Sequence, residues 1–356
     1  MTLQVGLVGF GYAGATIHAP LITSTPGLRL AAVSSRDAAR VQAALGADVA
    51  VEPSAEALIA RDDLDLVVIA SPNDTHHPLA AAALRAGRHV VVDKPFALDA
   101  AQARELMALA RAQGRVLSVF HNRRWDSDFL AARELLRAGS LGRVAHAALH
   151  FDRFRPRVRE RWRERSGSGG VWMDLAPHLV DIALQLFGTP QAIRADIAGL
   201  RDGAQAPDFF DATLHYASGL RVALRANMIA AQAGPRYALH GTRGSYVKYG
   251  ADTQEDALKA GQRPDPSRPE AWGLDPQPGQ VTLATDALDP PTLQTQALPT
   301  PRGDWPAYYA QLRDAVHGLK PNPVPAEEAL AVMVVLDAGQ RSAREGRVIA
   351  LPEGTS

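Results

Sequence analysis

The stretch Leu3-Gln4-Val5-Gly6-Leu7-Val8-Gly9-Phe10-Gly11-Tyr12-Ala13-Gly14 decides how the rest of the chain is read. Residues 3–8 are short, apolar and β-rich, and glycines end them, which is the pattern of a buried strand. The next six residues have the spacing G-x-G-x-x-G, and a helical stretch follows to about Ser24. That spacing carries physical meaning only between a strand and a helix, which is where it stands here. Gly9 permits a tight turn, Gly11 lets the backbone approach a pyrophosphate, and Gly14 lets helix pack on strand. The free N–H groups at the helix start would then face the phosphates. Gly9, Phe10, Gly11, Tyr12, Ala13 and Gly14 are the first predicted cofactor-binding residues.

Outward from this loop, apolar strands alternate with helical segments. Strands are predicted at 28–34, 65–70, 89–93 and 116–120. Helices are predicted at 37–45, at 73–85 with Asn73 and Asp74 as caps, and from Asp99 with Gln102 placed for a capping box. This alternation predicts an α/β fold, an N-terminal Rossmann doubly wound parallel sheet. After about residue 121 the pattern changes. Short strands are expected at 143–154, 191–200, 209–216, 220–228 and 236–240, with one strong helix at 171–187. They predict a C-terminal α+β domain with an open, mostly antiparallel sheet. One helix cannot cover both faces of such a sheet, so the free face is expected to be apolar and to form a subunit interface. Nine of the 25 prolines fall in 264–301, which reads as a long surface loop. Two helices, at about 304–318 and 326–345, end the chain. The domains are read as 1–121, dinucleotide-binding, and 122–356, substrate-binding and oligomerisation.

The second strand ends in Ser34-Ser35-Arg36-Asp37, where an NAD-preferring site usually has an acidic residue for the ribose hydroxyls. Hydroxyls and a guanidinium suit a 2′-phosphate, so NADP is the expected cofactor with NAD as the alternative. Asp37 also reads as the cap of the next helix. Two further strand ends give Ser71-Pro72-Asn73-Asp74-Thr75-His76 and Asp93-Lys94-Pro95. Of these, Ser71, Pro72, Asn73, His76, Asp93 and Lys94 are expected at the cofactor. Lys94 is one of four lysines among 38 basic residues, and it terminates an apolar strand. Lysine can exchange a proton and arginine effectively cannot, which explains why arginine has not taken this place. In the second domain Asp174 and His178 lie i, i+4 on one side of the predicted helix, with Asp181 continuing that side. Pro177 must sit in its first turn or kink it. Lys94, Asp174 and His178 are the predicted catalytic residues.

Composition narrows the classes. The chain has no cysteine, which excludes disulfides, thiolate catalysis and cysteine-held zinc, and its motifs predict no metal site. Zero formal net charge gives no electrostatic case for nucleic acid or an anionic membrane. No apolar run reaches the length of a membrane span, and residues 1–19 lack the basic start of a signal peptide. A cytoplasmic enzyme with a small-molecule substrate is the expectation.

Taken together, GFGYAG at 9–14, SPNDTHH at 71–77, DKP at 93–95 and GGVWMDLAPHLVD at 169–181 resemble the Gfo/Idh/MocA oxidoreductases along essentially the whole chain. The family usually has Glu-Lys-Pro where this chain has Asp93-Lys94-Pro95. The resemblance implies a Rossmann domain followed by an open-sheet domain, with Lys94, Asp174 and His178 catalytic and substrate between the domains. VFHNRRWDSDFL (119–130) and HFDRFRPRVRERWRE (150–164) resemble the branch that contains NADP-dependent scyllo-inositol dehydrogenases. That branch implies that Trp162 and Arg163 reach the cofactor and that Asn122 and Arg123, with Lys94, Asp174 and His178, reach the substrate. The implied reaction is hydride transfer between nicotinamide and a cyclic polyol or sugar carbon, scyllo-inositol favoured, in a homo-oligomer, dimer or tetramer. The alternatives are an aldose or other sugar dehydrogenase of the same family and a non-catalytic dinucleotide-sensing regulator.

Overall fold

The computed structural model describes residues 1–352. The chain folds into two compact units, each built from separated segments. The first holds Met1–Trp125, Thr253–Gly273 and Asp304–Leu330. Its sheet has strands β1 (Leu3–Val8), β2 (Leu28–Ser34), β3 (Ala50–Glu52), β4 (Leu66–Ile69), β5 (His89–Asp93) and β6 (Leu117–Phe120). They pair in the order β3-β2-β1-β4-β5-β6, all parallel. Every residue of β4 is buried, because helices α1 (Ala19–Thr23), α2 (Ala38–Leu45), α3 (Ala55–Ile59), α4 (Asn73–Arg85) and α5 (Ala100–Ala112) provide crossovers on both faces. The strand order reverses direction at β1 and β4, so the carboxyl ends of these strands and β5 border the crevice where such sheets bind ligands.

Local chemistry sets the helix starts. The Asp37 carboxylate accepts from the Arg40 N–H at 3.0 Å and caps α2, and the Asp99 carboxylate accepts from the Gln102 N–H at 2.9 Å at α5. Neither Asn73 nor Asp74 caps α4. The helix begins at Asn73 behind Pro72, and the Thr75 hydroxyl donates to the Pro72 carbonyl at 2.7 Å. The late segments attach through Gln254. Its carboxamide oxygen accepts from the Trp305 N–H (2.6 Å) and the Trp272 indole (2.8 Å), and its NH₂ donates to the Trp125 carbonyl (3.1 Å).

The second unit holds Asp126–Asp252, Leu274–Gly303 and the chain from Ala331. Helix α6 (Ser127–Arg137) precedes β7 (Val144–His150) and helix α7 (Gly170–Phe187). Strands β8 (Ala192–Ala198), β9 (Phe209–His215), β10 (Arg221–Asn227), β11 (Tyr237–Gly241), β12 (Gly244–Lys248), β13 (Gly279–Ala284), β14 (Leu293–Leu298) and β15 (Ile349–Ala350) follow. The sheet order is β14-β13-β12-β11-β7-β10-β9-β8-β15, antiparallel except at β7–β10. Alternation along β9 and β10 buries Phe210, Ala212, Leu214, Val222, Leu224 and Ala226 on the face that α7 covers. Trp172 of α7 meets Phe210 edge-on, ring centroids 5.2 Å apart.

Two expectations need correction, and a third, on Pro177, is narrowed to the second of its two alternatives. The proline-rich stretch 264–301 is not one irregular loop: β13 and β14 lie in it, because its prolines flank 279–289 and 292–298 without entering them. The sheet face away from α7 is not an apolar patch. Its registered rows read Thr213-Ala223-Ala148-Ala238-Val247 and His215-Arg221-His146-His240-Ser245, small and polar side chains. Pro177 lies in the interior of α7, so the Met173 carbonyl has no N–H to accept from at that position. Among the described residues no helix is long and apolar enough to cross a membrane.

Candidate active site

In the first unit the glycine loop is built as its spacing requires. Gly9 has φ +92°, and a Cβ there would stand 2.7 Å from the Ala70 carbonyl oxygen. A Cβ at Gly14 would stand 2.0 Å from the Gly9 oxygen, so helix and strand approach as closely as glycine allows. At Gly11 a Cβ would meet nothing within 4 Å, which leaves the backbone open to a ligand. These residues fit a dinucleotide pyrophosphate: a loop with no side chain at Gly9, Gly11 and Gly14, followed by helical N–H groups. Phe10 is buried, with the Arg40 guanidinium 5.7 Å from its ring centre, so only its backbone faces the loop.

The Ser34 hydroxyl accepts from the Gly9 N–H at 3.3 Å and so braces the glycine turn. The Ser35 hydroxyl accepts from the Asp37 N–H at 3.1 Å, and Arg36 is exposed on the same turn.

At the neighbouring strand ends, Ser71 and Thr75 share a hydroxyl–hydroxyl bond of 2.6 Å. His76 is buried between the ends of β4 and β5, its ring nitrogens 2.8 Å from the Pro95 oxygen and 3.0 Å from the Ser71 oxygen, and a neutral ring donates to one of the two. Burial pushes its pKa down, against the pull of Asp93 and the two carbonyls. Asp93 is buried at the end of β5, and its Oδ1 accepts the Lys94 backbone N–H at 2.8 Å. Its Oδ2 lies 3.8 Å from the His18 Nε2, beyond hydrogen-bond distance. Burial raises the Asp93 pKa, but His18, Lys94 and His76 together hold it at about 2. The Lys94 side chain is partly exposed beside these groups.

His18 was not expected from the sequence. The first turn after the glycine loop, Ala13–His18, is π-helical, and it carries the His18 ring fully into the core. There its Nδ1 lies 2.6 Å from the Tyr309 hydroxyl, and the ring packs on Phe120 at 4.4 Å. Glu255 was not expected either. Its carboxylate accepts from the Tyr12 hydroxyl (2.7 Å) and pairs with Arg123, whose guanidinium stacks 5.1 Å from the Trp305 ring. Burial raises the Glu255 pKa, but Arg123, Tyr12 and Lys259 hold it well below the carboxylate range. Asn122 and Arg123 are both buried in a short 3-10 turn, Asn122–Trp125.

In the second unit α7 opens at Gly169, φ +75°, where a residue with a Cβ would strike the Met173 side chain. Asp174 and His178 follow on successive turns. His178 is buried with its ring 6.2 Å from that of Phe151. Asp174 faces the Arg163 Nε at 3.5 Å and an Arg153 nitrogen at 4.0 Å. Trp162 and Arg163 stand in the 3-10 turn Trp162–Glu164, the guanidinium 4.5 Å from the indole centre. Arg153 and Arg161 were not singled out in the sequence, although an arginine at every second position was there to see.

Comparison with known proteins agrees with this architecture. Residues 3–121 match the family model described as "Oxidoreductase family, NAD-binding Rossmann fold", and 133–351 match "Oxidoreductase family, C-terminal alpha/beta domain". An uncharacterized oxidoreductase of Escherichia coli, YdgJ, is 51% identical over 98% of this chain and 99% of its own length. The scyllo-inositol 2-dehydrogenase (NADP(+)) IolW of Bacillus subtilis is 33% identical over 98% of this chain and 96% of its own. A solved oxidoreductase structure from Yersinia pestis superposes with a TM-score of 0.91 at 50% identity, covering 99% of this chain and 97% of that one. The chain therefore belongs to the Gfo/Idh/MocA family and is an NAD(P)-dependent oxidoreductase.

Proposed function

We propose that this enzyme moves a hydride between nicotinamide and a carbinol carbon of a sugar or polyol. The observation that carries the reading is Lys94. It stands partly exposed at the end of a buried parallel strand, two places along the sheet from the strand that leads into the glycine loop, with its backbone N–H held by a buried carboxylate. Gly9, Gly11 and Gly14 would hold the pyrophosphate, and Ser71, Asn73 and the β5 end would flank the nicotinamide. The bound dinucleotide supplies the hydride acceptor or donor. In the oxidising direction the carbinol C–H electrons leave with the hydride, the O–H proton passes to Lys94 or His178, and a carbonyl forms. Asp174 orients His178. NADP is the proposed cofactor, because Arg36 is exposed at the end of β2 where an acidic residue would favour NAD. The unit that holds Met1–Trp125, Thr253–Gly273 and Asp304–Leu330, rather than residues 1–121 alone, carries the dinucleotide, and the other carries the substrate and the contacts of a homo-oligomer.

A broad sugar reading is preferred to scyllo-inositol alone. The similarity to IolW, 33% identical, supports the inositol as a second reading. The Streptomyces antibioticus dTDP-3,4-didehydro-2,6-dideoxy-alpha-D-glucose 3-reductase, 32% identical over 52% of this chain, supports the wider class. The test is reduction of NADP and of NAD with a panel of inositols and sugars, in the parent and in Lys94→Met, His178→Ala and Lys94→Arg. Positioned proton transfer is worth about 10²–10⁴ in rate, so each variant should lose about that in kcat and keep dinucleotide affinity. Lys94→Arg activity near the parent's would remove Lys94 as the base, and tighter NAD than NADP binding would remove the cofactor assignment.

A further inference from the structure

In the second unit an arginine stands at every second position from 153 to 165. The stretch 152–174 holds seven arginines against four carboxylates, Asp152, Glu160, Glu164 and Asp174. Arg153, Arg161 and Arg163 line one cavity with Arg201, Glu164 and Asp174, at the start of α7. The back of that cavity is a fixed ionic frame. The Arg201 Nε donates to Asp208 at 2.8 Å and a terminal nitrogen to Glu164 at 3.1 Å. Its remaining nitrogen donates to the carbonyls of Arg155 (3.0 Å) and Arg157 (3.2 Å), which pins the arginine-bearing loop. Glu164 in turn accepts from the Arg159 N–H at 3.0 Å and the Arg161 Nε at 2.6 Å.

The carboxylates of the frame are shared between arginines. Arg201 is compensated by Asp208 and shares Glu164 with Arg161. Arg153 and Arg163 both stand near the Asp174 carboxylate, at 4.0 and 3.5 Å. Arg155 feels the surplus: burial, and then the positive charges of Arg153, Arg161 and Arg159, push its pKa down. A neutral polyol brings no charge to offset this. A phosphate or carboxylate does, with paired oxygens that match guanidinium donors.

We infer that this arginine wall is an anion site, and that the substrate carries a phosphate or carboxylate group in addition to the reacting carbinol. The second half of the inference rests on the hydride-transfer reading above; the anion site itself does not. The probe is inorganic phosphate, titrated into the full-length protein saturated with NADP and, separately, with NAD. The parent should bind phosphate equally well in both states, and Arg153→Gln and Arg161→Gln should each weaken it at least about 10-fold with dinucleotide affinity unchanged. Unchanged phosphate affinity in both variants would overturn the site. Phosphate binding lost with NADP but kept with NAD would assign the arginines to the cofactor's 2′-phosphate and overturn the substrate assignment. A second measurement needs no variant: kcat/KM for neutral sugars against their own phosphates and sugar acids. The anionic partner should lead by at least about 10-fold, and a neutral sugar equal to or better than its anionic partner would defeat the inference. Arginine-dependent phosphate binding with no turnover of any sugar would instead defeat the hydride-transfer reading and leave the anion site standing.

Discussion

Asp93 shows how a single residue prepares the strand end that carries Lys94. Its pKa falls from an ordinary 3.8 to about 2, despite burial, because His18, Lys94 and His76 surround it. A carboxylate with a depressed pKa stabilises the fold above its unfolded value and loses that contribution as pH falls through the folded one. The contribution is on the order of 2 kcal/mol. Asp93→Asn should therefore be less stable than the parent by about that amount at about pH 6, with the gap roughly halved by about pH 3, as urea unfolding at the two values would report. A gap that did not change with pH would remove the charge from the account. At this scale the sequence is legible where chemistry is local. Gly9, Gly11 and Gly14 announce their loop by their spacing between an apolar strand and a helical stretch. His18 and Glu255 announce nothing, since the Tyr309 hydroxyl is 291 residues from His18 and the Tyr12 hydroxyl 243 from Glu255.

Elements obey the same rule with one addition, that a pattern is readable only where burial is one-sided or complete. The strict alternation of β9 and the unbroken apolar run of β4 both gave their strands away. The pair β13 and β14 stayed hidden because β14 is exposed almost throughout, so no alternation marks it and the surrounding prolines dominate. The helix Ala326–Glu345 was plain from its period, yet its most constrained residue was not. A Cβ on Gly339 would stand 2.3 Å from the ring of Trp172, which is fully buried and cannot swing aside. Gly339→Ala should gain up to about 1 kcal/mol of helix propensity and lose about 1–3 kcal/mol to overpacking. The expected outcome is a net loss of about 1 kcal/mol, seen as a lower Tm, and a Tm above the parent's would show that Trp172 can yield.

For the whole molecule, the sheet face away from α7 decides what kind of self-association to expect. Ala223, Ala148 and Ala238 sit side by side on β10, β7 and β11, a flat strip with Arg, Asp and His around it. Such a surface suits a polar, closely approached interface better than an oily one. The protein should sediment above its 38.0 kDa chain mass, and Ala148→Arg should return it to that mass with dinucleotide binding kept. A parent that sediments as a monomer at micromolar concentration would rule the interface out. The adjoining strands β2-β1-β4-β5-β6 and β11-β7-β10-β9-β8 were legible from strand rhythm, but β3, β12 and β15 were not expected, nor were the segments that complete the first unit, because Gln254 and Tyr309 act on partners that no local pattern names.

That discontinuity governs how the protein can be made. The first unit begins with Met1 but needs Thr253–Gly273 and then Asp304–Leu330. Until Tyr308 and Tyr309 leave the ribosome, Phe120 lacks the two rings that pack on it and His18 lacks its hydroxyl partner. About 200 residues separate Trp125 from Leu330. At synthesis rates of about 5–20 residues per second, the nascent glycine-loop sheet waits roughly 10–40 s for its last pieces. Throughout that interval apolar surface that the finished fold covers is open to whatever is nearby, and a truncated transcript ending between Trp125 and those pieces yields a chain that holds the whole nucleotide motif but cannot close the core behind it.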